Sequence, residues 1–583
     1  MATTETAVLI VGAGPVGLTA AAALSQLGVA CRVIDKNAQA VTESRALGIQ
    51  ARTIELLDRL GLVEPFLAEG VLGQAGRIFL DGQEKIHFEF SHLESPYPCV
   101  LLLEQNRTER LLGQFVTGQG VSVDRLTELT ALEQDPAGVN CTLRRADGGE
   151  EICRAQYVLG CDGAHSTVRK QLGLNFAGEA FPGNFLLADV HLGCDWPHDE
   201  VRVYTGKRGF LAAFPITGSR WRVVSRLPDD LIPPQNATIE LLTKMCAEQG
   251  PADMQPHDPL WLNIFRISSR VVERFREGRV FLAGDAAHIH SPAGGQGMNT
   301  GMQDAVNLSW KLALAVRNRG SQRLLDSYDA ERRPNAEELV HATERATHAL
   351  MNQGAAASVF RRAAMTVLGK FEFVREKIAS EMSEIEIRYR KSPICGEHVQ
   401  SLHEWLLPSS DAAPHPRLKD CLEFAAGPHP GDRAPDAEGL CRAAGDSRRL
   451  FQEWRKDLRH QLLLFAGLAP QRKRLAQLES FVQQVNSAGA GLINATLIRP
   501  GLGKPMPGRV LYDTQALAHT RYGARHECLY LVRPDGYVGF RSQPVDLPAL
   551  ERHLRGLCDL GCSGFAAEPA TALQSAEPQL AGV

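Results

Sequence analysis

The sequence predicts an α/β fold of several domains, and three stretches carry that prediction. Near the N-terminus the apolar run AVLIV at 7–11 leads into a glycine-rich turn and an alanine-rich segment. A second apolar run, glycine-rich loop and helical pattern occupies 279–316. Between them, turn-forming residues separate four strand-like runs: NFLLADVHLG, EVRVYTG, GFLAAFPI and RWRVVSRL. We therefore expect a parallel-sheet domain combined with an antiparallel sheet.

Length and charge narrow the classes of protein. A chain of 583 residues is too long for one core, so roughly two to four domains are expected. With 63 basic and 67 acidic residues, the net charge of −4 gives no reason to expect a nucleic-acid partner. The 13 cysteines are scattered without a Cys-x-x-Cys pair, which predicts a reduced, cytoplasmic protein without structural zinc.

One uncharged stretch, residues 7–31, has the length of a membrane segment. It is rich in alanine, holds glycines and a proline, and follows no basic region of the kind that precedes a signal peptide. A buried strand, tight turn and helix explains the stretch better, and no membrane partner is expected.

The N-terminal turn has the spacing of a dinucleotide cradle. Gly12 permits a tight turn, Gly14 lets a pyrophosphate approach the backbone, and Gly17 lets the following helix, predicted to run to about Leu27, close on the sheet. A second strand, CRVID, ends in an acid that can accept hydrogen bonds from a ribose. The predicted contacts with an adenine dinucleotide are Gly12, Gly14, Pro15, Val16, Gly17, Asp35 and Lys36.

The loop at 284–298 forms a second cradle. The run RVFLAGD predicts a strand that ends at Asp285, and apolar residues repeat at helical spacing from near Asn299. A ligand that touches both cradles must be long, and FAD has that reach. Asp285 would hold a ribityl or ribose hydroxyl, while the backbone at Gly297, Met298 and Asn299 would face the flavin. The N-terminus of the helix would stabilise the negative charge that the flavin carries after reduction.

Three motifs then reveal a resemblance. VGAGPVGL at 11–18, GCDGAHSTVRK at 160–170 and GDAAHIHSPAGGQGMNTG at 284–301 occur in the order found in single-component FAD-dependent aromatic hydroxylases. This family of class A flavoprotein monooxygenases includes para-hydroxybenzoate, phenol, pentachlorophenol, hydroxyphenylpropionate and polyketide hydroxylases. The likeness covers roughly residues 5–400. It implies a Rossmann-like FAD-binding domain, an inserted antiparallel-sheet substrate domain and a C-terminal thioredoxin-like domain.

The resemblance also suggests domain boundaries. The FAD-binding domain would comprise 1–180 and 275–400, and the substrate domain 180–275 with about 73–100. The thioredoxin-like domain would span 428–563, with a hairpin turning at 534–536, and residues 564–583 would be a disordered tail. Because Cys-x-x-Cys is absent, disulfide exchange is not expected of the C-terminal domain, and a structural or dimer-contact role is favoured.

Further cofactor contacts follow only from the resemblance. It places Arg45 beside the flavin, Gln105 against FAD and the backbone of Leu129 at the adenine. Asp162 and Gly163 would contact FAD, and in the family this motif is also associated with the nicotinamide donor.

The substrate residues are less well specified. Tyr204, Phe210 and Phe214 could face an aromatic ring and Arg208 could hold a phenolate, although ordinary core and surface positions of a sheet explain all four as well. Pro292 would fix the flavin loop. No catalytic base stands out, and Arg45 and Pro292 are the remaining candidates for a part in catalysis.

The second cradle also contains residue types found in metal sites and in hydrolases, but the sequence supports those two functions less well. Asp285, His288, His290 and Ser291 suggest a metal site or a hydrolytic triad, but no familiar metal-ligand spacing and no G-x-S-x-G nucleophile turn is present. We expect no metal, and the histidines are interpreted as packing residues of the flavin loop.

The expected function is hydroxylation of a phenolic aromatic, dependent on NADH or NADPH and on O2, through a flavin C4a-hydroperoxide, as in aromatic compound catabolism. The fold also allows a fused polycyclic substrate of the polyketide type, or an oxidase or reductase that inserts no oxygen. A halogenase is disfavoured because W-x-W-x-I-P is absent. A non-enzymatic FAD-holding module stays open. The expected partners are a small aromatic and O2, and a homodimer is allowed.

Overall fold

The structure is a computed structural model, and it describes residues 2–41, 44, 46–180, 183–207, 209–231, 236–291, 295–351, 371–400, 416–442, 446–487, 491–503 and 509–557. These residues divide into two compact units. The first comprises the chain up to Arg317, Gln322–Pro393 and Phe451–Leu458. The second comprises Asn318–Ser321, Ile394–Leu450 and the described residues from Arg459 on.

The first unit contains most of the secondary structure. Its strands are β1 (Ala2–Val11), β2 (Cys31–Asp35), β3 (Gly48–Ile49), β4 (Val71–Gly73), β5 (Ala75–Leu80), β6 (Gln83–Glu89), β7 (Val100–Leu102), β8 (Val123–Arg125), β9 (Glu128–Asp135), β10 (Gly138–Arg144), β11 (Glu150–Gly160), β12 (Phe176–Ala180), β13 (Phe185–Leu192), β14 (Glu200–Gly206), β15 (Gly209–Ile216), β16 (Arg220–Arg226), β17 (Pro256–Phe265), β18 (Ser268–Val272), β19 (Arg276–Glu277), β20 (Val280–Leu282) and β21 (His288–Ile289). Its helices are α1 (Pro15–Gln26), α2 (Ala51–Arg59), α3 (Val63–Glu69), α4 (Gln105–Gly118), α5 (Thr167–Gln171), α6 (Ile239–Gln249), α7 (Gly297–Val316), α8 (Gln322–Met351) and α9 (Glu372–Ser383).

A mostly parallel sheet forms the core of this unit. Its order is β19-β20-β11-β1-β2-β8, and β10 and β9 extend from the N-terminal half of β11 in antiparallel pairing. β1 is central, and Val8, Leu9 and Ile10 have no exposed surface. Burial on both faces explains why this strand is a continuous apolar run, because helices cover both sides of a parallel sheet.

The pairing register places the predicted motifs along one edge. Val11 pairs with Gly160, and Gly160 pairs with Leu282, so β1, β11 and β20 end level with one another. Val11 also pairs with Ile34, the residue before Asp35. The glycine turn, the two later loops and the acid at the end of β2 therefore share the carboxyl edge of the sheet, where α/β folds bind ligands.

The antiparallel sheet has the order β17-β13-β16-β15-β14-β5-β6. Its only parallel pair joins β14 to β5, so the segment 75–89 extends the sheet that the four predicted strands begin. α6 covers one face, where Leu242 and Met245 pack with strand residues in a buried cluster. Two small sheets, β3-β7-β4 and β12-β18-β21, complete the unit.

The second unit is built on a seven-stranded sheet. Its strands are β22 (Gly396–Val399), β23 (Leu440–Cys441), β24 (His460–Phe465), β25 (Ile493–Pro500), β26 (Val510–Asp513), β27 (Cys528–Val532) and β28 (Val538–Gln543), in the order β22-β28-β27-β24-β25-β26-β23. Its helices are α10 (Leu418–Ala426), α11 (Arg472–Ser487), α12 (Leu517–Arg521) and α13 (Leu547–Leu557). β27 and β28 form the hairpin predicted at 534–536.

The α/β fold class predicted from the sequence is confirmed, with differences at individual ends. β20 stops at Leu282, and Gly284–Ala286 form a turn of 3-10 helix, so the strand predicted to reach Asp285 is shorter. α7 begins at Gly297, two residues before the predicted start. The domain boundaries stay predictions, and the predicted tail at 564–583 lies outside the described residues. No helix in the described parts of the chain is long and apolar enough to cross a membrane.

Candidate cofactor and substrate site

The three glycines of the first turn have different surroundings. Gly12 has φ +107, and a Cβ there would lie 2.3 Å from the carbonyl oxygen of Cys161. A Cβ at Gly17 would lie 2.0 Å from the carbonyl oxygen of Gly12, so that glycine is needed for the turn to close on α1. Gly14 differs, because nothing lies within 4 Å of an added Cβ. The open space at Gly14 is where a ligand can approach the backbone at the start of α1.

The acid at the end of β2 braces this turn. Asp35 Oδ2 accepts a hydrogen bond from the Ala13 N–H at 2.8 Å, and Oδ1 accepts one from the Asn37 N–H at 2.8 Å. Each carboxylate oxygen can accept further hydrogen bonds. Asp35 can therefore hold the glycine turn and still bind a ribose hydroxyl.

The two cradles, distant in sequence, are in contact. A Cβ at Gly284 would lie 2.8 Å from Val16 Cγ2, and a Cβ at Gly301 would lie 2.6 Å from the same atom. Gly284 and Gly301 thus allow the second loop and α7 to pack directly against the first turn of α1. One long ligand can reach both helix N-termini, as the sequence predicted for FAD.

The middle motif adds a polar group at the same edge. Asp162 Oδ2 accepts hydrogen bonds from the N–H groups of Thr167 and Val168, at 2.6 and 3.1 Å, at the start of α5. Its second oxygen, Oδ1, is buried and has no hydrogen-bond partner among the described residues. A buried carboxylate oxygen without a donor is costly, and a ligand hydroxyl or amide would satisfy it. Gly163 beside it has φ +78 and open space around a Cβ.

Asn299 ties the start of α7 to the 48–50 segment. Its side chain is fully buried. Oδ1 accepts from the Gln50 N–H at 2.8 Å, and Nδ2 donates to the carbonyls of Gly48 and Gly295, at 2.8 and 2.9 Å. The side chain thereby leaves the free N–H groups at the helix start available to a ligand.

A buried network of charged side chains fixes the N-terminal part of α7. Arg332 Nε donates to Asp304 Oδ1 at 2.6 Å, and Asp304 Oδ2 accepts from His288 Nε2–H at 2.8 Å and from the Gly284 N–H at 3.0 Å. Arg332 also donates to the carbonyl of Thr300 at 3.0 Å. Although burial opposes ionisation, Arg332 and His288 hold the pKa of Asp304 below its usual value. The network joins α8 and the second loop to the first turn of α7.

The second histidine of the loop is neutral. His290 Nδ1–H donates to the carbonyl of Ser291 at 2.9 Å, and its Nε2 is buried without a partner among the described residues. Burial, with a further contribution from His288, lowers the pKa of His290 to about 4. Its charge therefore does not change near neutral pH.

Two other residues implied by the resemblance lie nearby. Gln105 begins α4, and its Oε1 accepts from the Ala46 N–H at 3.2 Å while Nε2 donates to Glu109 at 2.9 Å. Leu129 is buried in β9, where it pairs with Leu143.

Four residues predicted at the two cradles differ in burial. Lys36 and Asp285 are exposed. Gly297 and Met298, both half-buried, form the first turn of α7.

The antiparallel sheet separates the aromatic residues that the sequence analysis grouped. Tyr204 is 6% exposed and stacks on Phe79 with 4.7 Å between ring centroids, on the face that α6 covers. Phe214 packs on the opposite face. Phe210 shares the face of Phe214, because side chains of a strand alternate and these two are four residues apart. Only Phe210 and Phe214, both half-buried, can line one site together.

The Phe214 face adjoins the segment 46–50, which Asn299 ties to the start of α7. Leu47 and Leu102 belong to the same buried cluster as Phe214. On the same face, Arg222 and Asp189 form a buried ion pair with two 2.8 Å hydrogen bonds, and Arg222 Nη1 donates to the carbonyl of Ala46 at 3.2 Å.

Three predicted residues, Arg45, Arg208 and Pro292, lie outside the described residues. Within the part of the chain that the structure describes, no group of three or more His, Cys, Asp or Glu side chains could hold a metal ion.

Sequence reasoning missed the residues that support α7. Gln303, Asp304, Asn307 and Lys311 are all buried, although they interrupt an apolar helix. Their spacing forms a polar stripe along α7, and that stripe is a signal that could have predicted buried partners. The partners Arg332 and Glu384 come from distant segments and leave no pattern in the sequence.

Comparisons with known proteins agree with this site. The FAD binding domain family matches residues 5–343. The 6-methylpretetramide 4-monooxygenase of Streptomyces rimosus is 34% identical over 569 residues, which cover 94% of this chain and 93% of the relative. The pentachlorophenol 4-monooxygenase of Sphingobium chlorophenolicum is 30% identical over 552 residues, 92% of this chain and 94% of the relative.

A solved structure extends the likeness. The anhydrotetracycline hydroxylase OxyS of Streptomyces rimosus has a TM-score of 0.70 at 29% identity, covering 95% of this chain and 99% of that one. The contacting cradles, the open Gly14 backbone and the partnerless oxygen of Asp162 all fit FAD. The chain therefore belongs to the FAD binding domain family, and it is an FAD-dependent aromatic monooxygenase of the class A flavoprotein hydroxylases.

Proposed function

We propose that this enzyme hydroxylates a phenolic ring of a fused polycyclic aromatic, with NADH or NADPH as electron donor and O2 as oxidant, by way of a C4a-oxygenated flavin. The observation that carries the proposal is the position of the Phe210–Phe214 face beside the 46–50 segment that Asn299 ties to α7. A single-ring phenol is the second candidate, because the pentachlorophenol enzyme is also similar over nearly the whole chain.

Relatives support the polycyclic substrate. The 6-methylpretetramide and anhydrotetracycline enzymes are named for fused-ring substrates, and each is similar over more than nine-tenths of this chain. A wide aromatic can lie along one face of a sheet, where Phe210 and Phe214 offer ring contacts.

In this proposal the described residues of the site have the following roles. Bound FAD supplies hydride acceptance and oxygen activation. The glycine turn and Asp35 hold the adenosine and pyrophosphate end, and Asp162 accepts a hydrogen bond from the cofactor. The α7 N-terminus, fixed by Asn299 and by the Asp304 network, stabilises negative charge on the ring. The apolar cluster around Phe214 would help to keep water away from the bound flavin ring.

Assembly and location belong to the same proposal. We place the enzyme in the cytoplasm, because its free cysteines suit a reducing compartment, and we propose a homodimer. Analytical ultracentrifugation of the purified protein tests the assembly, and a monomer at micromolar concentration would contradict it.

Stopped-flow absorbance tests the reaction. The purified yellow protein is mixed with NADH or NADPH, with and without single-ring phenols and fused-ring phenols, and then with oxygenated buffer containing isotopically labelled O2. We expect a fused-ring phenol to accelerate flavin reduction and to emerge carrying one labelled oxygen.

Each alternative has its own outcome. Acceleration and labelling with a single-ring phenol would favour the second candidate. Flavin reduction that no phenol accelerates, with oxygen recovered only as H2O2, would indicate an oxidase. Bound flavin that neither nicotinamide reduces would refute the enzymatic proposal.

A further inference from the structure

Glu384 is a buried acid that the proposed reaction does not use. It follows the last turn of α9 and has the left-handed backbone conformation, with φ +58. Its side chain points at the beginning of α7, where Oε1 accepts from the Thr300 hydroxyl at 3.2 Å and Oε2 lies 2.5 Å from Gln303 Nε2. Glu384 is only 4% exposed. It is thus a carboxyl group next to the N-terminus of α7, the helix end that would face the flavin in the proposed function.

The surroundings of Glu384 favour its neutral form. Both hydrogen-bond partners are uncharged, and no cation among the described residues lies within ion-pair distance of its carboxyl group. Arg332 of α8, whose charge acts to lower the pKa of Glu384, is bonded to Asp304, whose negative charge acts to raise it. A buried carboxylate without a paired cation is strongly disfavoured. Accordingly, burial raises the pKa of Glu384 to about 8.

The contact between Glu384 and Gln303 also accommodates a neutral acid. The amide of Gln303 can be turned so that its oxygen faces Glu384, since amide O and N positions are assigned from their partners. A protonated Glu384 would then donate to Gln303.

We propose that Glu384 is held protonated at neutral pH, and that its ionisation is coupled to reduction of the bound flavin through the first two turns of α7. The first half concerns this chain alone, and the second half rests on the proposed function. Ionised Glu384 would add a negative charge beside Thr300, where the flavin gains negative charge on reduction. Each charge disfavours the other, and the coupling is reciprocal.

The protonation state is measured on the apoprotein by infrared difference spectroscopy. Spectra between about pH 6 and pH 10 report the carbonyl stretch of a protonated carboxylic acid. We expect a band in the wild type that disappears as the pH passes through about 8. Glu384→Gln should lack it. The control Glu381→Gln, which changes a 65%-exposed side chain on α9, should retain it.

The coupling is measured as the two-electron reduction potential of the holoenzyme against pH. Uptake of one proton with two electrons gives a slope of about 30 mV per pH unit, because a tenfold change in a two-electron equilibrium is about 30 mV. In the wild type, the slope should double over a window that begins near pH 8, where reduction also protonates Glu384. Glu384→Gln should keep the smaller slope throughout, and Glu381→Gln should behave like the wild type.

The outcomes separate the two halves of the proposal. The absence of the carbonyl band from the wild type at pH 6, or its persistence in Glu384→Gln, would overturn the protonated state whatever the enzyme's substrate. A band that behaves as expected, with equal potential slopes in the wild type and Glu384→Gln, would overturn the coupling. If Glu384→Gln fails to fold, the wild-type band and slope still decide, because each has an expected pH of transition.

Discussion

Replacing Gly14 with alanine separates cofactor binding from folding. Gly14 has φ −76 and ψ −175, a conformation that alanine adopts without strain, and nothing in the protein lies within 4 Å of the new Cβ. The free protein should therefore be as stable as the wild type, or more stable by about 0.4–1 kcal/mol, because alanine restricts the unfolded chain. The methyl group would instead occupy the space proposed for the pyrophosphate.

The expected loss of affinity follows from one hydrogen bond to a charged group. Such a bond contributes about 1.5–3 kcal/mol. At about 1.4 kcal/mol per tenfold change, Gly14→Ala should weaken FAD binding by roughly 10- to 150-fold. Quenching of FAD fluorescence on titration with apoprotein measures the dissociation constant, and thermal melting of the same apoprotein measures stability.

Two variants complete the test. Gly17→Ala places a Cβ 2.0 Å from the carbonyl oxygen of Gly12, so this variant should lose stability as well as FAD. Gly113→Ala, in α4, also has open space around its Cβ and should leave FAD affinity unchanged. Wild-type FAD affinity in Gly14→Ala would refute the placement of the pyrophosphate. A melting temperature of the Gly14→Ala apoprotein as low as that of Gly17→Ala would refute the separation of cofactor binding from folding.

Three further predictions concern the support of the site and its substrate face. Asp304→Asn removes the negative charge that pairs with the buried Arg332 guanidinium, so the free energy of unfolding should fall by about 3–5 kcal/mol in urea titrations. A loss below about 1 kcal/mol would contradict the stabilising role of the network. Phe214→Ala should weaken aromatic substrate binding in equilibrium titrations, whereas Tyr204→Phe, on the opposite face of the sheet, should not. Equal effects of the two changes on substrate affinity would contradict the assignment of faces. The pKa of Glu384 is about 8 in the folded protein, above its value in the unfolded chain. Its contribution to stability is therefore complete below about pH 4.3 and is lost as the pH rises to 8. Over that window the free energy of unfolding should fall by up to about 1.4 kcal/mol per pH unit. Urea titrations at each pH should show no such decline for Glu384→Gln. If the free energy of unfolding of the wild type and of Glu384→Gln changed in parallel with pH, the raised pKa of Glu384 would be refuted.

Much of the cofactor site was predictable because its determinants are local in sequence. The spacing of Gly12, Gly14 and Gly17 after a buried strand specifies a turn that only small residues can make. The short apolar strand with an acid at its end likewise identified Asp35. Hydrophobic periodicity located α7 to within two residues. In each case the physical cause lies within a few residues of the effect, so the pattern is visible along the chain.

Local patterns also had limits. Alternation along β14 and β15 does not say how the two strands pair, and it is the register, with Tyr204 opposite Leu211, that places Tyr204 and Phe214 on opposite faces. The strand predicted to reach Asp285 ended at Leu282, where the chain leaves the sheet. Only the assembled sheet shows these outcomes, because they depend on segments distant in sequence.

The sequence by itself predicted the fold class, the two glycine-rich cradles and FAD as the cofactor, because glycine spacing, strand burial and helix starts are properties of short segments. The tertiary structure alone decided that the cradles touch through Val16 and that Asp304 is held by Arg332 and His288. It also placed Glu384 beside Thr300, with no cation of the described residues within ion-pair distance. Burial and charge at these positions arise from side chains that meet only in the folded chain. Protonation states, and the chemistry that depends on them, therefore follow from packing.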